Sequence, residues 1–170
     1  MDMTQFRTKV AFAGLFAALA LIFSYIEILI PFNPSIPGIK LGIANLVILI
    51  VLYYMDGKYA FVINLVRVVV AGLLFTGVFG MFYSLAGAVL SLCVMILLKK
   101  TNLFSIIGVS MAGGVAHNFG QLVIAAVLIG SEKVMAYFPV LIFSGLISGI
   151  IIGFLAHILL KRLPGTPYNG

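Results

Sequence analysis

Long apolar runs dominate this chain, and they leave it few possible folds. Residues 6–30, 41–54, 59–75, 81–98, 103–129 and 134–160 are six stretches nearly free of charge. A bilayer-spanning helix needs about 20 apolar residues at about 1.5 Å each. A transmembrane barrel would instead alternate over segments of about ten residues. These runs are continuous, and a helix satisfies its own backbone hydrogen bonds in lipid. Hydrophobic residues make up 64% of the chain and charged residues 8%, where soluble domains carry about 25% charged. The mean hydropathy is +1.29. The expectation is an all-α integral membrane protein of six transmembrane helices, forming one domain over residues 1–170. The second and third stretches are short and the first, fifth and sixth long, which leaves room for a loop that dips into the protein. PFNPSIPGIK, residues 31–40, is the predicted re-entrant or capping loop.

Charge gives an orientation. With six spans both termini share a side, and that side collects Arg7, Lys9, Lys58, Lys99, Lys100, Lys161 and Arg162. The other side has Lys40 and Lys133. This asymmetry predicts cytoplasmic termini in a multi-pass protein of the bacterial inner membrane. It also accounts for the net charge of +6 without nucleic acid as a partner. The basic N-terminus resembles a signal peptide, but its apolar run exceeds the usual 7–15 residues. A retained first helix is expected. The single cysteine, Cys93, allows no intrachain disulfide and is expected as a small packed core residue.

Small residues repeat at helical spacing. They occur at Ala13 and Ala17 with Gly14 and Ala18 beside them, at Gly108, Ala112, Ala116 and Gly120, and at Gly145, Gly149 and Gly153. Such stripes let helices approach closely in lipid. The fifth and sixth helices are expected to use theirs inside the bundle. The first stripe is wide and near the cytoplasmic end, so it is also suited to a partner protein.

Polar residues inside the spans are few. Asn64 and Arg67 share a face of the third helix, and His117 and Gln121 share one on the fifth, flanked by Asn118. Asn45 lies a turn into the second helix, behind Lys40, and Glu27 lies near the outer end of the first. A charge at bilayer mid-depth costs roughly 2.5–3.5 kcal/mol on insertion scales. Arg67 therefore either makes an internal pair, with Glu27 the carboxylate in reach, or lines a cavity for an anionic or carbonyl-bearing ligand. The polar set opens toward the outside.

Catalysis is not expected. The four acidic residues, Asp2, Glu27, Asp56 and Glu132, lie on different elements, with no paired carboxylates and no cluster to hold magnesium. No metal site and no cofactor is expected. The G-x-x-x-x-G-K-[ST] motif of ATP-hydrolysing loops is absent from the sequence.

PGIKLGIANL, the arginine-bearing third helix, AHNFGQ and FPVLIFSGLISGIIIG together resemble the bacterial Gx transporter family, also labelled heptaprenyl diphosphate synthase component I. The resemblance covers roughly residues 8–162. That family is similar to the substrate-binding S components of energy-coupling-factor (ECF) vitamin transporters, which have six helices and cytoplasmic termini. The resemblance implies a binding subunit whose ligand sits in the outer half beneath the loop between the first two helices. Lys40, Asn45, Arg67, His117, Asn118 and Gln121 are the expected ligand-binding residues, with Phe75, Phe79 and Tyr83 holding a ring or chain. It also implies that Ala13 and Ala17, in an A-x-x-x-A motif, dock on a coupling protein, with ATPases on other chains supplying energy. The runner-up is an accessory membrane component of isoprenoid or quinone metabolism, or an anchor for flavin-dependent electron transfer. The chain carries neither the D-D-x-x-D motif of prenyl diphosphate synthases nor an S/T-G-A-T flavinylation-like sequence.

Overall fold

Helix ends are fixed by local chemistry. At Asp56 the apolar run breaks. The Asp56 carboxylate accepts from the backbone N–H groups of Lys58 and Tyr59 at 2.7 and 2.9 Å, which starts a new helix. Ser105 does the same for Gly108 at 3.2 Å. Asn102 and Gly130 take left-handed conformations, φ 55° and 66°, and stop the helices before them. The computed structural model describes residues 3–30, 42–166 and 168. Among these residues the helices are α1 (Met3–Leu29), α2 (Ile43–Tyr54), α3 (Gly57–Ala71), α4 (Gly77–Thr101), α5 (Ile106–Ile129) and α6 (Phe138–Arg162). A π turn, Gly72–Thr76, extends α3, and a 3-10 segment, Glu132–Tyr137, precedes α6. The sixth helix begins later than the sequence reading because Pro139, which lacks an N–H, belongs in its first turn.

Four helical stretches are long and apolar enough to cross a membrane: Arg7–Leu29, Gly57–Thr101, Ile106–Ile129 and Glu132–Arg162. The second, 45 residues long, is folded back on itself near Thr76 and Gly77. Gly57 lies by Ile96, Asn64 bonds to Ala88, and Gly72 lies against Met81, so α3 and α4 run antiparallel. Helix α2 has only 12 residues, about 18 Å, and is shorter than a bilayer core. Ala44 and every residue from 46 to 52 are buried, so α2 is enclosed on all sides. It packs on α1, α3 and α6.

Successive helices alternate in direction. The start of α1 and the ends of α2 and α6 therefore meet at one end of the bundle. Phe12 and Phe16 pack edge-on against Tyr54, whose hydroxyl donates to the Pro164 carbonyl at 3.2 Å. Lys99 donates to the Leu52 carbonyl at 2.6 Å, at the C-terminus of α2 where a cation is favoured. Tyr168 packs on Tyr53 and bonds to His157 Nδ1 at 2.8 Å. The predicted loop at 31–40, with Asn33 and Lys40, lies outside the described residues.

The α6 glycine stripe packs on α5 as expected, but its partner face differs from the sequence reading. A Cβ at Gly145 would meet Gly114 at 2.8 Å, one at Gly149 the backbone of Met111 at 2.5 Å, and one at Gly153 that of Ile107 at 2.7 Å. Of the predicted α5 stripe, Gly120 faces α4 at Ala86 and Gly87, and Gly108 has only its own first turn within 4 Å. With helices on both flanks, α5 needs two close-approach faces rather than one. Cys93 is exposed on α4, contrary to the expected core position. A thiol is apolar enough for a lipid-facing surface, so hydrophobicity does not assign its side. Gly145→Leu is expected to overpack the α5–α6 crossing at a cost of about 1–3 kcal/mol. Thermal unfolding in detergent should show a lowered midpoint, whereas Gly14→Leu, with nothing within 4 Å of its Cβ, should leave the midpoint near wild type.

Candidate functional site

Because α2 is short, its N-terminus ends inside the bundle. Gly42, in a left-handed conformation with φ 73°, caps it and places Asn45 one turn in. The Gly42 N–H donates to Glu27 Oε1 at 2.5 Å, so the end of α1 fastens the start of α2. Around this junction is a cavity of about 190 Å³. Its wall comes from Ser24 and Glu27 of α1, Gly42 and Asn45 of α2, Arg67 of α3 and Gly72 and Thr76 of the π turn. Ser84 of α4, Gly114, His117 and Asn118 of α5 and Ser148 of α6 complete it. All six helices thus contribute, at the end of the bundle opposite the start of α1 and the end of α6. The π turn widens α3 beside the cavity, and such insertions are frequent at functional sites.

Arg67 is buried, 8% exposed, as the eleventh residue of a 20-residue leg formed by α3 and the π turn. One Nη donates to Asn64 Oδ1 at 2.8 Å and to Asn45 Oδ1 at 3.4 Å. Asn64 in turn donates to the Ala88 carbonyl at 3.1 Å, tying α3 to α4. Arg67 Nε is buried and has no hydrogen-bond partner among the described residues. Both acceptors are neutral amides; Arg67 and Glu27 line one cavity and act on each other through space, with no direct ion pair between them.

Four predicted ligand-binding residues, Asn45, Arg67, His117 and Asn118, line this one cavity. Asn118 also donates to the Leu141 carbonyl at 2.8 Å, linking α5 to α6. Gln121 is not part of the lining. It is 1% exposed and pressed against α4, where a Cβ at Gly87 would meet its Cγ at 2.8 Å. Lys40 lies outside the described residues. The aromatic residues expected beside the ligand are elsewhere. Phe75 packs on Tyr25 with ring centroids 5.2 Å apart. Phe79 and Tyr83 line a separate apolar groove of about 550 Å³ with Leu122, Leu128, Tyr137 and Leu141. Their side chains leave α4 on the flank away from Ser84, since neighbouring helical positions point about 100° apart. Ala13 and Ala17 are half-buried and pack on the protein's own core, whereas Gly14 and Ala18 beside them are exposed.

Sequence reasoning missed the hydroxyls Ser24, Thr76, Ser84 and Ser148. Ser24 and Ser148 bond to the backbone carbonyls of Ala20 and Gly145 at 2.9 and 3.2 Å, a common habit of helical serines that carries no ligand signal. Ser24 stands three residues before Glu27, a spacing that places both on one face.

Asn64→Leu removes the shortest bond to the guanidinium and is expected to cost about 1–3 kcal/mol of stability. Asn45→Ala, which loses only the 3.4 Å contact, should cost less. Thermal unfolding of the two variants in one detergent checks the order.

A family model described as heptaprenyl diphosphate synthase component I matches residues 16–159, from the first half of α1 to the last turn of α6. The match includes every residue that lines the cavity. No curated protein and no solved structure matches the chain. With most of its length under that match, the chain belongs to the heptaprenyl diphosphate synthase component I family.

Proposed function

We propose that this protein is a substrate-binding membrane subunit that captures a small molecule bearing an acidic group from outside the cell. The observation that carries the reading is a buried guanidinium whose hydrogen-bond partners among the described residues are neutral amides, facing a cavity built from all six helices. A charge placed at this depth is expensive, and intramembrane ionisable residues commonly mark substrate sites. Arg67 receives the acid group. Asn45, His117 and Asn118 orient the rest, and Lys40, two residues before Gly42 in sequence, would supply a second cation for the acid group. The six helices serve as six crossings of a bacterial inner membrane. Both termini are cytoplasmic, as the seven basic residues at that end favour. The cavity then faces outward.

The chain binds its ligand without transforming it, and other chains supply the energy, as in ECF S components. The exposed Gly14 and Ala18, beside Ala13 and Ala17, give α1 a smooth face for a coupling protein. Toppling of the bundle in the membrane then carries the ligand across.

A second reading draws on the apolar groove lined by Phe79, Tyr83, Leu122 and Tyr137. A groove of this kind suits an isoprenoid or quinone chain, and the protein would then be an accessory membrane component for an enzyme partner. Native mass spectrometry of protein released gently from its own membranes distinguishes the two. The transport reading expects a small polar adduct that is lost in a folded Arg67→Gln variant. A prenyl lipid adduct that survives Arg67→Gln, with no small polar adduct, would contradict it.

A further inference from the structure

The cavity holds two charged groups of opposite sign, Arg67 and Glu27, that act on each other through space but make no direct ion pair. Among the described residues, Arg67 donates to the side-chain oxygens of Asn64 and Asn45 and to no carboxylate. Glu27 spends one carboxylate oxygen on the Gly42 N–H and makes no other hydrogen bond among the described residues. A simple internal ion pair would have been the cheaper arrangement, since a buried charge is costly unless it is paired. An anionic ligand would satisfy Arg67 but place its charge beside the Glu27 carboxylate, and like charges at close range disfavour binding. A molecule carrying both signs satisfies both walls. The space limits its size. About 190 Å³ equals on the order of six waters of liquid and lies below the roughly 300–1,000 Å³ of drug-sized pockets.

We infer that the ligand is a small zwitterion of amino-acid size, its acid group on Arg67 and its ammonium or quaternary nitrogen toward Glu27. This rests on the substrate-binding reading above and adds the cationic half of the ligand and the residue that selects it.

The test uses the full chain purified in detergent, with thermal-shift and calorimetric binding measurements. The probes are L-alanine, L-leucine, γ-aminobutyrate and glycine betaine. Each is run beside an analogue lacking the nitrogen and one lacking the acid. The variants are Arg67→Gln and Glu27→Gln, the latter keeping a carbonyl oxygen for the Gly42 N–H. At least one zwitterion is expected to bind, with both singly charged analogues at least tenfold weaker. Glu27→Gln should weaken the zwitterion tenfold or more and bring it level with its deaminated acid. The inference is overturned if the deaminated acid binds wild type as tightly as the zwitterion, or if Glu27→Gln leaves zwitterion affinity unchanged. In both cases a continued loss of binding in Arg67→Gln would leave the substrate-binding reading standing. If no probe binds, the adduct seen by native mass spectrometry decides. An adduct without a cationic nitrogen overturns the zwitterion alone, and an empty protein overturns both readings.

Discussion

The rest of the architecture depends on a short helix buried on every side. Twelve residues of α2 reach about 18 Å, and a bilayer core is about 30 Å thick. A full-length helix in that position would fill the centre of the bundle. Instead, α2 is held at one end by Lys99 on the Leu52 carbonyl and by the aromatic cluster at Tyr53 and Tyr54. At the other end it stops under Glu27. The missing turns are the cavity. The enclosing helices pack closely enough to seal its sides because Gly114, Gly145 and Gly149 bring α5 and α6 into backbone contact.

Arg67 gives that space its chemistry. Its hydrogen-bond partners are neutral amides, which hold the guanidinium without neutralising it. Asn64 spends its amide nitrogen on Ala88 and its oxygen on Arg67, so turning away would forfeit both bonds and leave its own buried amide without them. Asn45 approaches from the cavity side at a longer distance. Fixing both the position and the charge of a cation in advance is the arrangement that makes binding an acid group inexpensive. The opposite end of the bundle differs in kind. There His157, Tyr168 and Tyr53 form a packed polar-aromatic seal, and burial raises the proton affinity of the Tyr168 phenol.

Much of this was legible in the sequence because lipid forbids most alternatives. Six apolar runs gave six helices, with ends displaced by a few residues where Gly77 turned the chain or Pro139 set a first turn. The three-residue spacing of Asn64 and Arg67 became a 2.8 Å hydrogen bond. Asn45 from α2 and His117 and Asn118 from α5 reached the same cavity, since polar groups in a membrane have few other places to go. Which way an apolar side chain faced was not legible. In water, hydrophobicity separates inside from outside, whereas in lipid both are apolar. That is why Cys93 and Phe79 lie on the outer surface and why α5 used Gly114 rather than the Gly108 stripe toward α6. The hydroxyls at Ser84 and Thr76 were equally silent, because serine and threonine are ordinary in spanning helices.

A substrate-binding Arg67 cavity should admit water from the outside of the cell. The most direct test is thiol accessibility of Ser84→Cys in a Cys93→Ser background, probed with a membrane-impermeant maleimide on intact cells and on inverted membrane vesicles. The account predicts labelling from the outside, slowed when the native ligand is bound, and none from the cytoplasmic face. Labelling only in inverted vesicles, or from neither side in a folded protein, would contradict it.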